Sequence, residues 1–110
     1  MSGATFSEVW SKTLEGRCAV PYCHDSGGNG WSGANKAAAH RTLVGVDSKS
    51  CAGQKRVVAG SPEKSLLVSA IAHTSLEGCK VPAMPAGKPM LAQTEIDQVV
   101  SWIRAGAQDN

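Results

Sequence analysis

Apolar residues recur at helical spacing in four stretches of the chain. In the first, Phe6, Val9, Trp10 and Leu14 fall at i, i+3, i+4 and i+8, with Ser7, Glu8, Lys12 and Glu15 elsewhere. That pattern predicts a helix over 5–16 with one apolar face. Thr5 followed by Glu8 has the spacing of a capping box, and Gly16 is a natural stop. The second stretch runs from Lys36 to about Leu43, with Asn35 as cap and an Ala37-Ala38-Ala39 run that favours helix. The third opens on Ser61-Pro62-Glu63, a serine cap with proline at the first helical position. Leu66, Leu67, Ala70 and Ile71 supply its buried face through about Ala72. The fourth spans about Gln93 to Ala105, with Ile96, Val99, Val100 and Ile103 as its stripe, Trp102 beside it and Gly106 ending it. Ala92 stands where a Ser or Thr cap is expected. The first and last helices carry matching aromatic-plus-aliphatic faces, and contact between them would close the domain.

Two irregular stretches stand out between these helices. Residues 25–33 contain four Gly in nine positions, which marks a loop, with Trp31 as its lone large apolar side chain. Residues 78–91 hold three Pro, two Gly and two Met, Met84 and Met90, and read as a long, stiff loop. The expected fold is therefore all-α, about four short helices joined by long loops.

Composition changes the picture in one respect. At 110 residues the chain makes one domain, yet Leu, Ile, Val and Phe together supply only about 18% of it. That is below the ~20% under which packing becomes hard to sustain, although the strong net charge that accompanies disorder is missing. Such a chain needs a disulfide, a metal or a large buried cofactor to hold it. The formal charge of +2 and the lack of any basic stretch longer than Lys55-Arg56 argue against nucleic-acid binding. No segment approaches the ~20 apolar residues of a membrane span. Residues 1–5 are polar and lack the apolar run of a signal peptide. Four cysteines in so short a chain favour an oxidising compartment. The expectation is a periplasmic or extracellular protein whose export signal is not part of this chain.

The candidate chemistry lies in Cys18-Ala-Val-Pro-Tyr-Cys23-His24, directly after the first helix. A Cys-x-x-Cys-His run attaches haem covalently: the thiols add to the two vinyl groups and the adjoining His ligates iron. Here four residues separate the thiols. Cysteine tethers need only reach the vinyls, so an outward bulge of the extra residues preserves the chemistry. Pro21, which cannot donate a hydrogen bond and disfavours helix at Val20, suits such a bulge. Cys23-His24 keeps the adjacency that aims a ring nitrogen at the iron. A Cys18–Cys23 disulfide, a zinc site and two free thiols compete with this reading on these residues alone. With the attachment pair assigned, Cys51 and Cys79 are an even remainder, which suggests a disulfide. Closing that loop of about 29 residues would stabilise by about 3–4 kcal/mol on the chain-entropy account. Met84 and Met90 both follow His24 at a distance typical of a sixth-ligand loop. The competing role for either Met is flexible core filling. His40 on the second helix is a minor ligand candidate and is expected as an exposed helical His. His73, at the end of the third helix, suits the helix dipole. No Ser/His/Asp grouping, paired carboxylates in helical register or phosphate-cradling Gly loop is apparent.

These residues together resemble small cytochrome c domains with a Cys-x4-Cys-His attachment motif, of the kind found in planctomycete and myxobacterial secreted proteins. The resemblance covers nearly the whole chain. It runs through Arg17-Cys18, Tyr22-Cys23-His24-Asp25, Leu43-Val44-Gly45-Val46 with Cys51, Arg56-Val57-Val58 with Gly60-Ser61-Pro62, Ala83-Met84-Pro85, and Glu95-Ile96 to Trp102-Ile103-Arg104-Ala105-Gly106-Ala107. It implies an all-α cytochrome c-like fold around one covalently attached haem c. By the resemblance Cys18 and Cys23 are the thioether tethers, His24 the proximal ligand and Met84 the distal one. Met90 is the alternative sixth ligand, Lys80 and Lys88 flank that loop, and a Cys51–Cys79 bridge is likewise implied. The implied function is one-electron transfer with redox partner proteins, as a carrier rather than an enzyme, alone or within a larger multidomain protein or assembly. Haem propionates would bring the net charge to about zero, which disfavours strong electrostatic steering of a partner. Three other classes stay open: a haem sensor or peroxidase with a labile sixth ligand, a zinc- or disulfide-stapled binding module without haem, and a structural haem domain.

Overall fold

The computed structural model describes residues 4–15, 31–32, 34–48, 51, 53–72, 84 and 91–110. These form a mostly helical domain: α1 (Phe6–Val9), which continues as a π-helical turn (Trp10–Leu14), α2 (Lys36–Leu43), α3 (Leu66–Ile71) and α4 (Gln93–Arg104). A short 3-10 turn, Pro62–Lys64, precedes α3. Among the described residues there is no strand, only isolated bridges pairing Val44 with Val57, Asp47 with Lys55 and Lys55 with Ser65.

The capping chemistry of the first two helices follows the sequence. The Thr5 hydroxyl accepts from the Glu8 amide at 3.2 Å while the Glu8 carboxylate accepts from the Thr5 amide at 3.0 Å. Two amides that a helix start leaves without partners are thereby satisfied. The Asn35 side chain accepts from the Ala38 amide at 2.8 Å and opens α2 at the expected residue. At the other end of the chain, α4 closes in a Schellman motif. Gly106 takes φ 116° and donates to the Ile103 carbonyl, and the Ala107 amide donates to that of Trp102, each at 3.0 Å. Ala92 gives α4 no side-chain cap, but Glu95 reaches back to the Ala92 amide at 3.0 Å.

Two elements depart from expectation. α1 does not stay α-helical: the Glu15 amide reaches back five residues to the Trp10 carbonyl. The apolar stripe survives the wider turn, with Phe6, Val9, Trp10 and Leu14 all buried. The third helix begins at Leu66 rather than at Ser61-Pro62. Long-range pairing overrides the local start signal here. Ser65 is extended (φ −95°, ψ 117°) and bridges to Lys55, and the Leu66 and Leu67 amides donate to the Lys55 and Arg56 carbonyls at 3.1 and 2.9 Å. Carbonyls from another segment thus satisfy the open amides of this helix start.

The core joins α1 and α4, as their matching faces predict. Phe6, Val9 and Leu14 pack with Ile96, Val99, Trp102 and Ile103, and Leu43, Val57, Ile71 and Leu91 complete the cluster. Trp102 is part of this core, 1% exposed, rather than beside the stripe, while Val100 is only partly buried.

Candidate functional site

The expected attachment residues Cys18, Cys23 and His24 lie outside the described residues, as do Cys79, Met90, His73, Lys80 and Lys88. What the structure describes are segments that precede and follow them in the chain. α1 and its π-turn lead toward Cys18, with Trp10 and Leu14 buried against the core. Between Cys79 and Met90, Met84 is the described residue. Its amide donates to the Ala70 carbonyl of α3 at 3.0 Å, and its half-buried side chain packs against the central cluster. A polarizable thioether held on an apolar wall suits two uses, filling a core gap or ligating a soft metal centre such as haem iron. Leu91, which follows Met90 in the chain, is 2% exposed and belongs to the core.

Trp31 is 6% exposed and belongs to the core. Its neighbour Ser32 donates its amide to the Thr42 hydroxyl at 2.8 Å, so the end of the Gly-rich stretch is tied to α2.

His40 is half-buried, not the exposed helical His expected. Its Nε2 lies 2.8 Å from the Ala107 carbonyl, and its ring meets Phe6 edge-on with centroids 5.2 Å apart. The cause is the chain after α4, which turns back through Ala107 at φ 50°. The same segment ties down α1, where the Phe6 amide donates to Asn110 Oδ1 at 2.9 Å, and packs back on α4, where the Trp102 indole donates to the Gln108 carbonyl at 2.9 Å. His40 is engaged in holding the helix ends together, which leaves it a poor candidate for iron ligation.

Cys51 is 4% exposed and disulfide-bonded. The partner expected for it, Cys79, is outside the described residues. Around it the Cys51 amide donates to Ser48 Oγ at 3.1 Å, and the Gln54 amide donates to the Cys51 carbonyl at 3.1 Å. The bridge therefore anchors a tight turn between the paired segments Val44–Asp47 and Lys55–Val57.

The electrostatics among described residues are those of a surface. Hydrogen bonds from the Thr5 amide and hydroxyl hold the Glu8 carboxyl below its ordinary value, with Lys12 assisting. The Lys55 ammonium, 2.7 Å from Asp47 Oδ1, does the same for Asp47. Among the described residues no three His, Cys, Asp or Glu side chains converge on a common point, and no helix is long and apolar enough to cross a membrane.

One described residue escaped the sequence reading. Thr13 lies in the π-turn, 0% exposed, with its hydroxyl unpaired. The available signal was a polar residue at i+4 from Val9, inside the apolar phase of the helix. No protein-family model, curated protein or solved structure matches the chain.

Proposed function

We propose that this chain is a single cytochrome c-like domain that carries one covalently attached haem c and transfers single electrons between redox partner proteins. Cys18 and Cys23 would tether the cofactor, His24 would ligate the iron on one side, and Met84 on the other. When bound, the haem would supply an iron centre that cycles between the ferric and ferrous states. The observation that carries the reading is Met84: fastened by its amide to α3 and turned onto the apolar cluster, in a chain that also holds Cys18-x4-Cys23-His24. The thin core supports it as well, since a domain this poor in Leu, Ile, Val and Phe gains most from an apolar cofactor plate.

In this reading the chain's own residues do three things. Met84 would supply a soft ligand, which raises the potential relative to a second imidazole. The packed α1–α4 pair would help to exclude water from the cofactor. The Cys51 disulfide restrains the middle of the chain, with Cys79 as its proposed partner and a periplasmic or extracellular setting as its consequence. With both His24 and Met84 as ligands the iron would keep no open position for turnover, so the domain would act as a carrier rather than an enzyme.

A redox titration of the purified protein tests this. The expected result is one reversible one-electron transition, with a reduced form that does not bind carbon monoxide. Ready carbon monoxide binding would favour a sensor or peroxidase. A second reading takes its support from Cys51, a buried cysteine already used as a staple: a disulfide- or zinc-stapled binding module without haem, for which the titration would show no transition.

A further inference from the structure

Ser65 precedes α3 in the place where a serine ordinarily caps a helix, accepting from an amide of the first turn. It does not do so here. Its fully buried hydroxyl accepts instead from the Val58 amide at 2.8 Å and donates to the Ser61 carbonyl at 3.0 Å. The next two amides, of Leu66 and Leu67, donate to the Lys55 and Arg56 carbonyls. The start of α3 is thus fastened outward, by side chain and main chain, to the segment 55–61.

The other end of α3 holds Met84. The last carbonyls of a helix lack partners within it, and Ala70 gives its carbonyl to the Met84 amide at 3.0 Å. With six residues α3 is about 9 Å long and moves as a unit, so a shift at its start reaches that carbonyl. Resting on the reading of Met84 as sixth ligand, we propose that Ser65 is a positioning residue for that ligand. By fixing where α3 begins, it fixes the carbonyl to which the Met84 backbone is tied. His24 adjoins a proposed thioether tether at Cys23, whereas Met84 adjoins none and depends more on such support. A metal site has to be held to about 0.5 Å by the groups behind its ligands.

The test uses the haem-loaded full chain in the ferric form at neutral pH, with imidazole as competitor for the sixth position. Ser65→Ala is expected to bind imidazole about tenfold more tightly than the parent and to lose part of the Met–iron band. Thr5→Ala, which removes the cap of α1 and no bond of α3, is expected to bind as the parent does. Parent-like binding by Ser65→Ala, or an equal gain in Thr5→Ala, overturns the proposal, because the Ser65 bonds would then serve stability alone. Should Ser65→Ala not fold, amide exchange in the parent decides. The Val58 and Met84 amides are expected to open together as one unit, and separate openings overturn the proposal. A parent without covalent haem, or one whose Met–iron band survives Met84→Ala, overturns the ligand reading and the proposal with it.

Discussion

The rings of Phe6 and Trp102 meet with centroids 4.8 Å apart and planes inclined by 32°. The pair joins the first helix to the last, and both side chains are at most 1% exposed. Truncating either leaves a cavity at the contact that closes the domain. Phe6→Ala should lose about 3–5 kcal/mol of stability, a large share of what a domain of this size possesses. Urea titration followed by Trp fluorescence reads the loss directly. A change below about 1 kcal/mol would mean that the helices are held by something other than this pair.

The reciprocal bonds of Thr5 and Glu8 make the start of α1 sensitive to pH. The Glu8 carboxyl is depressed in the folded chain by the Thr5 amide and hydroxyl. Its contribution is therefore present above the unfolded carboxyl value, and it is lost as pH falls through the lower, folded value. Thr5→Ala should cost about 1 kcal/mol at neutral pH and flatten the acid limb of the stability–pH curve. Denaturation midpoints collected from neutral to acid pH check both effects; parallel curves for the parent and the variant would contradict the assignment.

Ser65 is fully buried, and its hydroxyl connects Val58 with Ser61. It accepts from the Val58 amide at 2.8 Å and lies 3.0 Å from the Ser61 carbonyl that it donates to. Ser65→Ala leaves the Val58 amide without that acceptor, and the expected loss is about 1–3 kcal/mol. Amide hydrogen exchange should quicken at Val58 first. Unchanged exchange there would show that another acceptor replaces the hydroxyl.

Removing the buried staple at Cys51 should be among the more damaging changes. Cys51→Ala is expected to lose about 2–5 kcal/mol, and thiol titration of the unfolded variant should show one newly released cysteine. If the bridge is to Cys79, Cys79→Ala and the double variant should match it in stability. A double variant weaker than either single one would assign the partner elsewhere.

Helix existence was legible in the chain, and so were the ends marked by their own local chemistry. Asn35, the alanine run and Leu43 define α2 without help, and Gly106 ends α4 because the closing turn needs a positive φ there. Features decided by distant residues were not legible. Ser61-Pro62 has every local mark of a helix start, yet pairing of Ser65 with Lys55 delays α3 to Leu66. His40 carries no sign in its own neighbourhood that a carbonyl 67 residues away will claim its ring. The π-turn of α1 was hidden for a different reason: it shifts the hydrogen bonding while keeping the same apolar stripe inward. Of the candidate site, the Cys18–His24 chemistry is read from the residues themselves, and the structure adds the position of Met84.

The most direct test of the central claim is an absorption spectrum of the protein produced with haem-attachment machinery present, oxidised and then reduced with dithionite, before and after acid–acetone extraction. The account predicts a sharp reduced α-band that stays with the polypeptide. It also predicts the weak long-wavelength band of a Met-ligated ferric haem, lost in Met84→Ala and kept in Met90→Ala. Loss in Met90→Ala instead would move the sixth ligand, and a polypeptide with no Soret band would contradict the account.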